Sequence, residues 1–295
     1  MCMSDWSSDV CSSDLPIQRT GHGQYVEGHD GRHWHTFLMG RPIRAEGRAW
    51  CPLGRETGIE EVVWRDGWLW LKNGGTVPRS TIPGPDRDVA GLVAHDFAGQ
   101  HLPPEFQWLR HPNPERLFRL DGALTLTGRE SVGSWFEQSL VARRQEHHAY
   151  AAECRVDFDP ITYQQGAGLT TYYNRHKFHA VVVTHEPGLG RCLSVLSCPG
   201  DWPDGALSLP AAPVQVGAGP VDLRVQVDCA TQQFHWRQGG DWRAIGPALN
   251  AAVISDEGGR GEHGSFTGAF VGMLAFDTSG AAREARFTRF VYGAA

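Results

Sequence analysis

The chain has 295 residues, a formal net charge of −6 at pH 7 and a sequence pI near 6.1. Its basic residues are scattered, so we expect neither nucleic acid nor an anionic membrane surface as a partner. No run of eighteen apolar residues occurs, so we expect no membrane-spanning helix. Thirty-six glycines, eleven tryptophans and few helical repeat patterns favour an all-β protein with many turns.

Residues 1–15, MCMSDWSSDVCSSDL, do not resemble a signal peptide, because they have neither a basic start nor an apolar run. They repeat Ser-Ser-Asp and are similar to the adapter-derived starts of assembled gene sequences, so we expect a non-native leader. Seven cysteines without CxxC spacing predict reduced, mostly buried thiols. Such thiols are typical of a cytoplasmic protein, which is the location we expect.

Residues 16–85 have the pattern of short strands joined by turns. Candidate strands lie at 24–27, 34–39, 61–64 and 68–71, with Asp30-Gly31 between the first pair and Asp66-Gly67 between the last pair. Asp-Gly between two β runs is a strong hairpin signal. Four strands make one propeller blade, which cannot bury both of its own faces. We therefore predict a partial β-propeller whose preceding blades are missing from the sequence.

A second domain is predicted after a connector. The segment from Pro78 to Asp88 is proline-rich and charged and lacks periodicity, so we predict a linker over residues 86–102. From 103 to 295 short strands recur at the spacing of a jelly-roll β-sandwich. The runs 169–173 and 178–184 carry bulky side chains on both faces, which predicts a hairpin covered by a second sheet.

Two groups of residues could bind a ligand or could have only a structural role. Gln164 and Gln165, with the tyrosines of the hairpin, could face a sugar, although periodicity favours a core hairpin. His29, His33 and His35 offer imidazole ligands, and the last two share a strand face. No cysteine or carboxylate at ligand spacing completes a metal site, so we expect no metal in this chain.

Several longer motifs occur in order along the chain. The first domain contains GHGQYVE (21–27), MGRP (39–42) and CPLGRET (51–57). The second contains EFQWLR (105–110), FEQSLVARRQ (136–145), QQGAGL (164–169) with YYN (172–174), and FTGAFVGM (266–273). Together they resemble glycoside hydrolase family 43 enzymes of the β-xylosidase type. The resemblance implies the last blade of a five-bladed β-propeller, followed by a concanavalin-like, jelly-roll β-sandwich.

The resemblance also implies an activity. Enzymes of this kind hydrolyse xylo-oligosaccharides, and often arabinosides, with inversion. Inversion needs a carboxylate that activates water and a carboxylic acid that protonates the leaving oxygen. In the family both come from earlier propeller blades, and no acidic residue here matches their motifs. We therefore expect no catalytic residue in this chain, and we expect the chain alone, as a truncated fragment, to be inactive.

Three residues match the family's substrate pocket. Arg55 corresponds to an arginine at the pocket floor, where a guanidinium can bind a sugar hydroxyl and keep a catalytic carboxylate ionised. Phe266 corresponds to an aromatic side chain that the sandwich inserts through a glycine-rich loop. His22 corresponds to the histidine that opens the last blade. In some relatives this histidine meets a central calcium through water, and in others it hydrogen-bonds the catalytic groups. On the residues alone, Arg55 could instead form a blade ion pair and Phe266 could lie in the core.

A second function hypothesis remains open from the sequence. The sandwich could be a non-catalytic module that binds carbohydrate through exposed aromatic side chains or that joins subunits. The resemblance implies that a homo-oligomer is possible and that calcium can occupy the intact propeller; no other cofactor is expected. Binding of xylobiose by residues 103–295 alone would favour the module.

Overall fold

The structure is a computed structural model, and it describes residues 15–84, 91–200, 206–259 and 266–294. Four β-sheets hold nearly all of its regular structure, which confirms the all-β prediction. The described residues also include short 3-10 helices at Pro114–Arg116 and Ala251–Val253. No helix in these ranges is both long and apolar enough to cross a membrane.

The N-terminal sheet is one propeller blade with the antiparallel strand order β1-β2-β5-β6. The strands are Gln18–Glu27 (β1), His33–Gly40 (β2), Ile43–Ala45 (β3), Arg48–Trp50 (β4), Glu56–Arg65 (β5) and Trp68–Leu71 (β6), with β3 and β4 paired as a separate hairpin. Asp66 and Gly67 join β5 to β6 with φ of 53° and 77°. Two successive positive φ values are what a tight two-residue hairpin turn requires, so the predicted turn is confirmed.

The blade leaves large apolar side chains in solvent. Each of the following is more than 40% exposed: Tyr25, Val26, Ile59, Trp64, Trp68 and Trp70. A propeller blade normally covers such side chains with its neighbours. This exposure agrees with the prediction that one blade cannot bury both of its faces.

The second domain is a sandwich of two antiparallel sheets. Its strands are Leu92–His95 (β7), Phe106–Trp108 (β8), Phe118–Leu120 (β9), Leu124–Thr127 (β10), Ser139–Arg144 (β11), Ala149–Asp157 (β12), Gln165–Asn174 (β13), Lys177–Glu186 (β14), Gly190–Pro199 (β15), Val214–Gln215 (β16), Val221–Asp228 (β17), Thr231–Arg237 (β18), Arg243–Asn250 (β19), Phe270–Asp277 (β20) and Glu284–Ala294 (β21). One sheet has the order β19-β18-β17-β12-β21-β10-β9, and the other has the order β16-β15-β14-β13-β20-β11-β8. Strand β21 lies inside the first sheet, because it pairs with β12 on one side and with both β10 and β7 on the other.

The sandwich begins earlier in the chain than the sequence predicted. Strand β7 lies within residues 86–102, which we predicted to be a linker, and it pairs with β21 from Leu92 opposite Gly293 to His95 opposite Phe290. The linker prediction is therefore wrong for this strand. A strand of four residues next to a charged, proline-rich segment gives almost no local periodicity. Its stability comes from a partner strand at the far end of the chain.

The main hydrophobic core fills the space between the two sheets. Among its fully buried side chains are Leu169, Phe234, Phe287 and Phe290. Burying a side chain of this size contributes about 1.5–3 kcal/mol. A second apolar cluster, which includes Tyr172, Phe178, Ala180 and Leu196, packs on the other face of the seven-stranded sheet. The hairpin β13–β14 is therefore buried on both faces, as its side chains predicted.

Candidate functional site at the domain junction

The blade and the sandwich touch through two glycines. Gly54 and Gly268 both have φ in the left-handed region, at +69° and +81°. A Cβ on Gly268 would lie 2.5 Å from the carbonyl oxygen of Leu53, and a Cβ on Gly54 would lie 2.3 Å from the nitrogen of Gly268. Beside them, the N–H of Ala269 donates to the carbonyl oxygen of Pro52 at 2.7 Å. The two backbones are in direct contact, which glycine alone permits here.

Arg55 follows this contact in the chain. Its side chain is 18% exposed, and its Cζ lies 5.4 Å from the centre of the Phe266 ring, within the range of a cation–π contact. Phe266 is 61% exposed, so it does not lie in the sandwich core. The structure thus brings together two predicted site residues from different domains. Their contact with a substrate stays a prediction, and most of the glycine-rich loop at 258–264 falls outside the described residues.

Two carboxylates of the sandwich, Asp256 and Glu257, face the arginines of the blade. Oδ2 of Asp256 lies 3.6 Å from Nε of Arg55 and 3.5 Å from Nη1 of Arg19. Glu257 forms a close ion pair with Arg19 and accepts a hydrogen bond from the N–H of Cys51 at 2.6 Å. Neither carboxylate was predicted as a site residue from the sequence. The only sequence signal was an acidic pair next to a glycine run, which is also typical of an exposed loop.

Asp256 is held from the sandwich side as well. Its side chain is 1% exposed, and the hydroxyl of Tyr173 donates to its Oδ1 at 2.6 Å. The same hydroxyl accepts a hydrogen bond from the N–H of Thr267 at 3.0 Å. Burial raises the pKa of Asp256, while the Tyr173 hydroxyl and the two arginines act in the opposite direction. Burial also raises the pKa of Tyr173, so this hydroxyl stays protonated and remains a donor.

Lys177 is only 3% exposed and packs against Tyr173 and Ser255, next to the two carboxylates. Its Nζ donates to the carbonyl oxygen of Ser255 at 2.8 Å and sits 4.0 Å from the centre of the Tyr173 ring. Burial lowers the pKa of Lys177 to about 8, although the charges of Asp256 and Glu257 act to raise it. The domain junction therefore contains a buried cation, Lys177, as well as the two carboxylates.

His22, the third predicted site residue, lies on a distorted part of strand β1. Two register shifts occur between Gln18 and Gln24, and Arg19 and His22 adopt positive φ values of 56° and 49°. Bulges of this kind redirect side chains and are frequent next to active sites. His22 is exposed, and among the described residues it forms no hydrogen bond, ion pair or ring contact with the other two predicted site residues. Its role in a pocket stays a prediction.

The glutamines and tyrosines of the β13–β14 hairpin are mostly structural. Gln165 is fully buried and donates to Oδ2 of Asp277 at 3.2 Å, so the hypothesis that it faces a sugar is wrong. The hydroxyl of Tyr172 donates to Oε1 of Gln138 at 3.0 Å inside the second apolar cluster. Tyr173 alone of this group reaches the domain junction.

An aromatic cleft adjoins the junction on the outer face of the seven-stranded sheet. Its volume is about 390 Å³, and its lining includes Trp108, Trp135, Tyr173 and Thr267. Each tryptophan is 40% exposed. Clefts lined by aromatic side chains with a few polar groups are typical ligand sites. Thr267 lines the cleft and follows Phe266 in the chain, so the cleft opens next to the contact between Phe266 and Arg55.

The chemistry available at the junction is recognition rather than bond cleavage. Asp256 and Glu257 are both occupied by arginines, so neither is placed as a free base or acid for hydrolysis. Arg55 offers a positive charge next to an exposed ring. A guanidinium beside an aromatic wall can hold a sugar hydroxyl or a carboxylate and pack against the face of a sugar.

Comparison with known proteins gives two family matches along the chain. A family model described as the beta xylosidase C-terminal concanavalin A-like domain matches residues 94–293, and a model for glycosyl hydrolases family 43 matches residues 4–69. Xylosidase/arabinosidase 43B of Humicola insolens is 43% identical over 298 residues, covering 96% of this chain and 54% of the relative. A putative beta-xylosidase of Escherichia coli strain K12 is 38% identical, covering 94% of this chain and 54% of the relative.

A solved structure gives the same result. The crystal structure of xylan beta-1,4-xylosidase from Bacillus halodurans C-125 superposes with a TM-score of 0.84 at 31% identity, covering 95% of this chain and 54% of that protein. The chain therefore spans about half the length of the relatives that it matches. Both its domains are matched, and in the same order along the chain. The chain belongs to glycoside hydrolase family 43 and carries the concanavalin A-like domain described for the C-terminus of beta-xylosidases.

Proposed function

We propose that this chain is the C-terminal part of an inverting glycoside hydrolase that acts on xylo-oligosaccharides or arabinosides. The observation that carries the proposal is the meeting of Arg55 from the blade with Phe266 from the sandwich, 5.4 Å from Cζ to ring centre. Relatives described as xylosidases and arabinosidases support the substrate class. In this proposal the sandwich closes one wall of the active-site pocket.

The predicted site residues then have distinct roles. The guanidinium of Arg55 binds a sugar hydroxyl and favours the ionised form of a neighbouring catalytic carboxylate. The exposed ring of Phe266 packs against the sugar and excludes water from one side of the pocket. His22, on the bulged strand, contributes a further polar contact to the substrate.

The catalytic carboxyl groups lie elsewhere in this proposal. Inverting hydrolysis needs two carboxyl groups about 6.5–9.5 Å apart with room for a water molecule between them and the sugar. Asp256 and Glu257 are adjacent in sequence and both pair with arginines, so they do not meet this requirement. We expect the base and the acid to come from the part of the relatives that this chain does not span.

The test compares the 295-residue chain with a chimera. The chimera carries the N-terminal part of the Humicola insolens relative, which this chain does not span, fused ahead of residue 15. We expect no turnover of p-nitrophenyl β-xyloside by the chain alone and measurable turnover by the chimera. Robust hydrolysis by the chain alone, lost on changing one of its own carboxylates, would contradict the proposal.

A pair of arginine variants tests the role of Arg55 in the chimera. We expect Arg55→Met to lower kcat/KM by about a hundredfold, as for the loss of a charged group that contacts the reacting sugar. Arg41→Met is the matched control, because Arg41 is exposed and pairs with Glu56 at 2.7 Å on the same blade without contacting Phe266. Equal losses in the two variants would show that Arg55 acts only through blade stability.

Other expectations from the sequence stay predictions. No three His, Cys, Asp or Glu side chains of the described residues lie together as a metal-ligand set. The described part of the chain therefore offers no ligand set that could by itself hold the calcium ion implied for an intact propeller, and no step of the proposal uses calcium. The cytoplasmic location and the homo-oligomer likewise stay predictions.

The alternative function is carbohydrate binding by the sandwich alone. The aromatic cleft beside the junction, with Trp108 and Trp135 exposed in its lining, is the observation that favours it. Isothermal titration of xylobiose against the 295-residue chain tests this alternative. Micromolar binding that is lost in Trp108→Ala would support the module, whereas no binding would leave the sandwich as a pocket wall.

A further inference from the structure

We propose that Asp256 is a positioning residue, which fixes the orientation of the Arg55 guanidinium and thereby couples the sandwich to the sugar pocket. The inference rests on the proposed function, because it assumes that Arg55 contacts the substrate. It assigns the sandwich a role beyond supplying the ring of Phe266. The sandwich also sets the direction in which the arginine of the blade points.

The geometry around Arg55 supports this role. Oδ2 of Asp256 lies 3.6 Å from Nε of Arg55, and Nη1 of Arg55 donates to the carbonyl oxygen of Arg19 at 3.5 Å. An arginine side chain has four rotatable bonds and loses about 2 kcal/mol of rotamer entropy when it is fixed. At 3.6 Å the carboxylate is beyond hydrogen-bond distance from Nε, so the restraint it supplies to the orientation of the guanidinium is the attraction of an ion pair.

Asp256 is itself held in place by a chain of hydrogen bonds. The N–H of Thr267 donates to the hydroxyl of Tyr173 at 3.0 Å, and that hydroxyl donates to Oδ1 of Asp256 at 2.6 Å. Thr267 follows Phe266, whose ring lies 5.4 Å from Cζ of Arg55. The contacts form a closed ring of five residues. A shift of Asp256 would therefore move both the arginine and the aromatic wall.

The neighbouring carboxylate has a different role and serves as a control. Glu257 pairs with Arg19 and accepts from the N–H of Cys51, so it holds the blade loop without contacting the guanidinium of Arg55. The two carboxylates are adjacent in sequence and both face the blade. Only Asp256 reaches Arg55, so changes at the two positions separate positioning from simple attachment of the domains.

The first experiment uses the 295-residue chain and does not depend on activity. The Nε–Hε signals of a ¹⁵N-labelled sample are recorded by NMR, and the Arg55 signal is assigned as the one lost in Arg55→Lys. We expect this signal to shift in Asp256→Asn, because the variant removes the charge and can turn an amide N–H toward Nε. Tyr173→Phe, which keeps the carboxylate but removes its donor, should cause a smaller shift. Glu257→Gln, which reaches Arg55 only through Arg19, should cause a smaller shift than Asp256→Asn.

The second experiment is a double-mutant cycle in the chimera. We expect Asp256→Asn to lower kcat/KM about tenfold when Arg55 is present and less than about twofold in an Arg55→Met background, because residues that act through one another are not additive. Glu257→Gln should cause the same loss in both backgrounds. A merely structural role of Asp256 would give the same loss with and without the arginine.

The outcomes separate this inference from the proposed function. If the Arg55 signal moves in neither Asp256→Asn nor Tyr173→Phe, the inference is wrong. This result does not depend on which substrate the enzyme hydrolyses. Equal losses from Asp256→Asn in the two backgrounds of the cycle also overturn it. If the unmodified chimera is inactive, the proposed function is contradicted and the NMR result alone decides the contact. Should Asp256→Asn fail to fold, Tyr173→Phe replaces it in both experiments.

Discussion

The contact of two glycines at the domain junction leads to a quantitative prediction. Gly268 has a φ of +81°, and a Cβ there would lie 2.5 Å from the carbonyl oxygen of Leu53. Gly280 has a φ of +82°, but a Cβ there would meet nothing within 4 Å. The pair Gly268→Ala and Gly280→Ala therefore separates the cost of the backbone conformation from the cost of forcing the two domains apart.

The expected magnitudes follow from these two terms. Placing alanine in the left-handed region costs about 1–2 kcal/mol, and both variants carry this cost. Gly268→Ala also forces an extra methyl group against a backbone oxygen, and such overpacking costs about 1–3 kcal/mol. We therefore expect Gly280→Ala to lower the free energy of unfolding by about 1–2 kcal/mol. Gly268→Ala should lower it by about 2–5 kcal/mol.

Urea unfolding followed by circular dichroism gives the measurement. Because a chain with two domains need not unfold in one step, the comparison uses the midpoint of the first transition in each variant. Limited proteolysis under native conditions should show faster cleavage between the domains in Gly268→Ala. Equal destabilisation by the two variants, with unchanged proteolysis, would refute the conclusion that the domain contact depends on Gly268.

Two further predictions concern buried charges. Glu60 is fully buried and bonds to the partly exposed Arg79 at 2.5 Å, whereas Glu61 pairs with the exposed Lys72. We expect Glu60→Gln to lower the free energy of unfolding by more than Glu61→Gln, because the buried Glu60 carboxylate accepts charge-assisted hydrogen bonds from the guanidinium and the backbone N–H of Arg79, which an amide weakens. Glu61→Gln should cost less than about 1 kcal/mol in urea unfolding, and equal costs would contradict this. Burial lowers the pKa of Lys177 from 10.5 to about 8, so between these values the folded state binds fewer protons than the unfolded state, and stability rises with pH. Lys177→Met should remove up to about 3 kcal/mol of this rise. An unchanged pH profile of urea stability would show that the pKa of Lys177 is not lowered in the folded state.

The strands that could be predicted from the sequence are those specified by local rules. The hairpin closed by Asp66 and Gly67 follows from turn chemistry, and the buried hairpin β13–β14 follows from its long β-prone runs. Strand β7 was missed because four residues carry little periodicity, and its partner is distant in the chain.

The candidate site was only partly visible in the sequence. Arg55 and Phe266 are 211 positions apart in the chain, and only the motif match related them to one pocket. Asp256 lies in none of the motifs that carry the family resemblance, and no periodic pattern of the sequence marks it as buried. Its partner Tyr173 is separated from it by 83 positions, and its burial arises from the packing of two domains. Ion pairs between distant segments follow from tertiary structure, which local sequence rules do not contain.

The position of strand β21 has a consequence for synthesis of the protein. This strand is the last one described along the chain, yet it joins β12 to β10 and β7 inside the eight-stranded sheet. The sheet therefore cannot close until residues 284–294 have left the ribosome. At about 5–20 residues per second, the roughly 200 residues after β7 take about 10–40 s to emerge. During that time apolar strand faces lack their partner, so a stop codon or frameshift before residue 284 would release a chain in which β12 and β10 lack the strand that joins them.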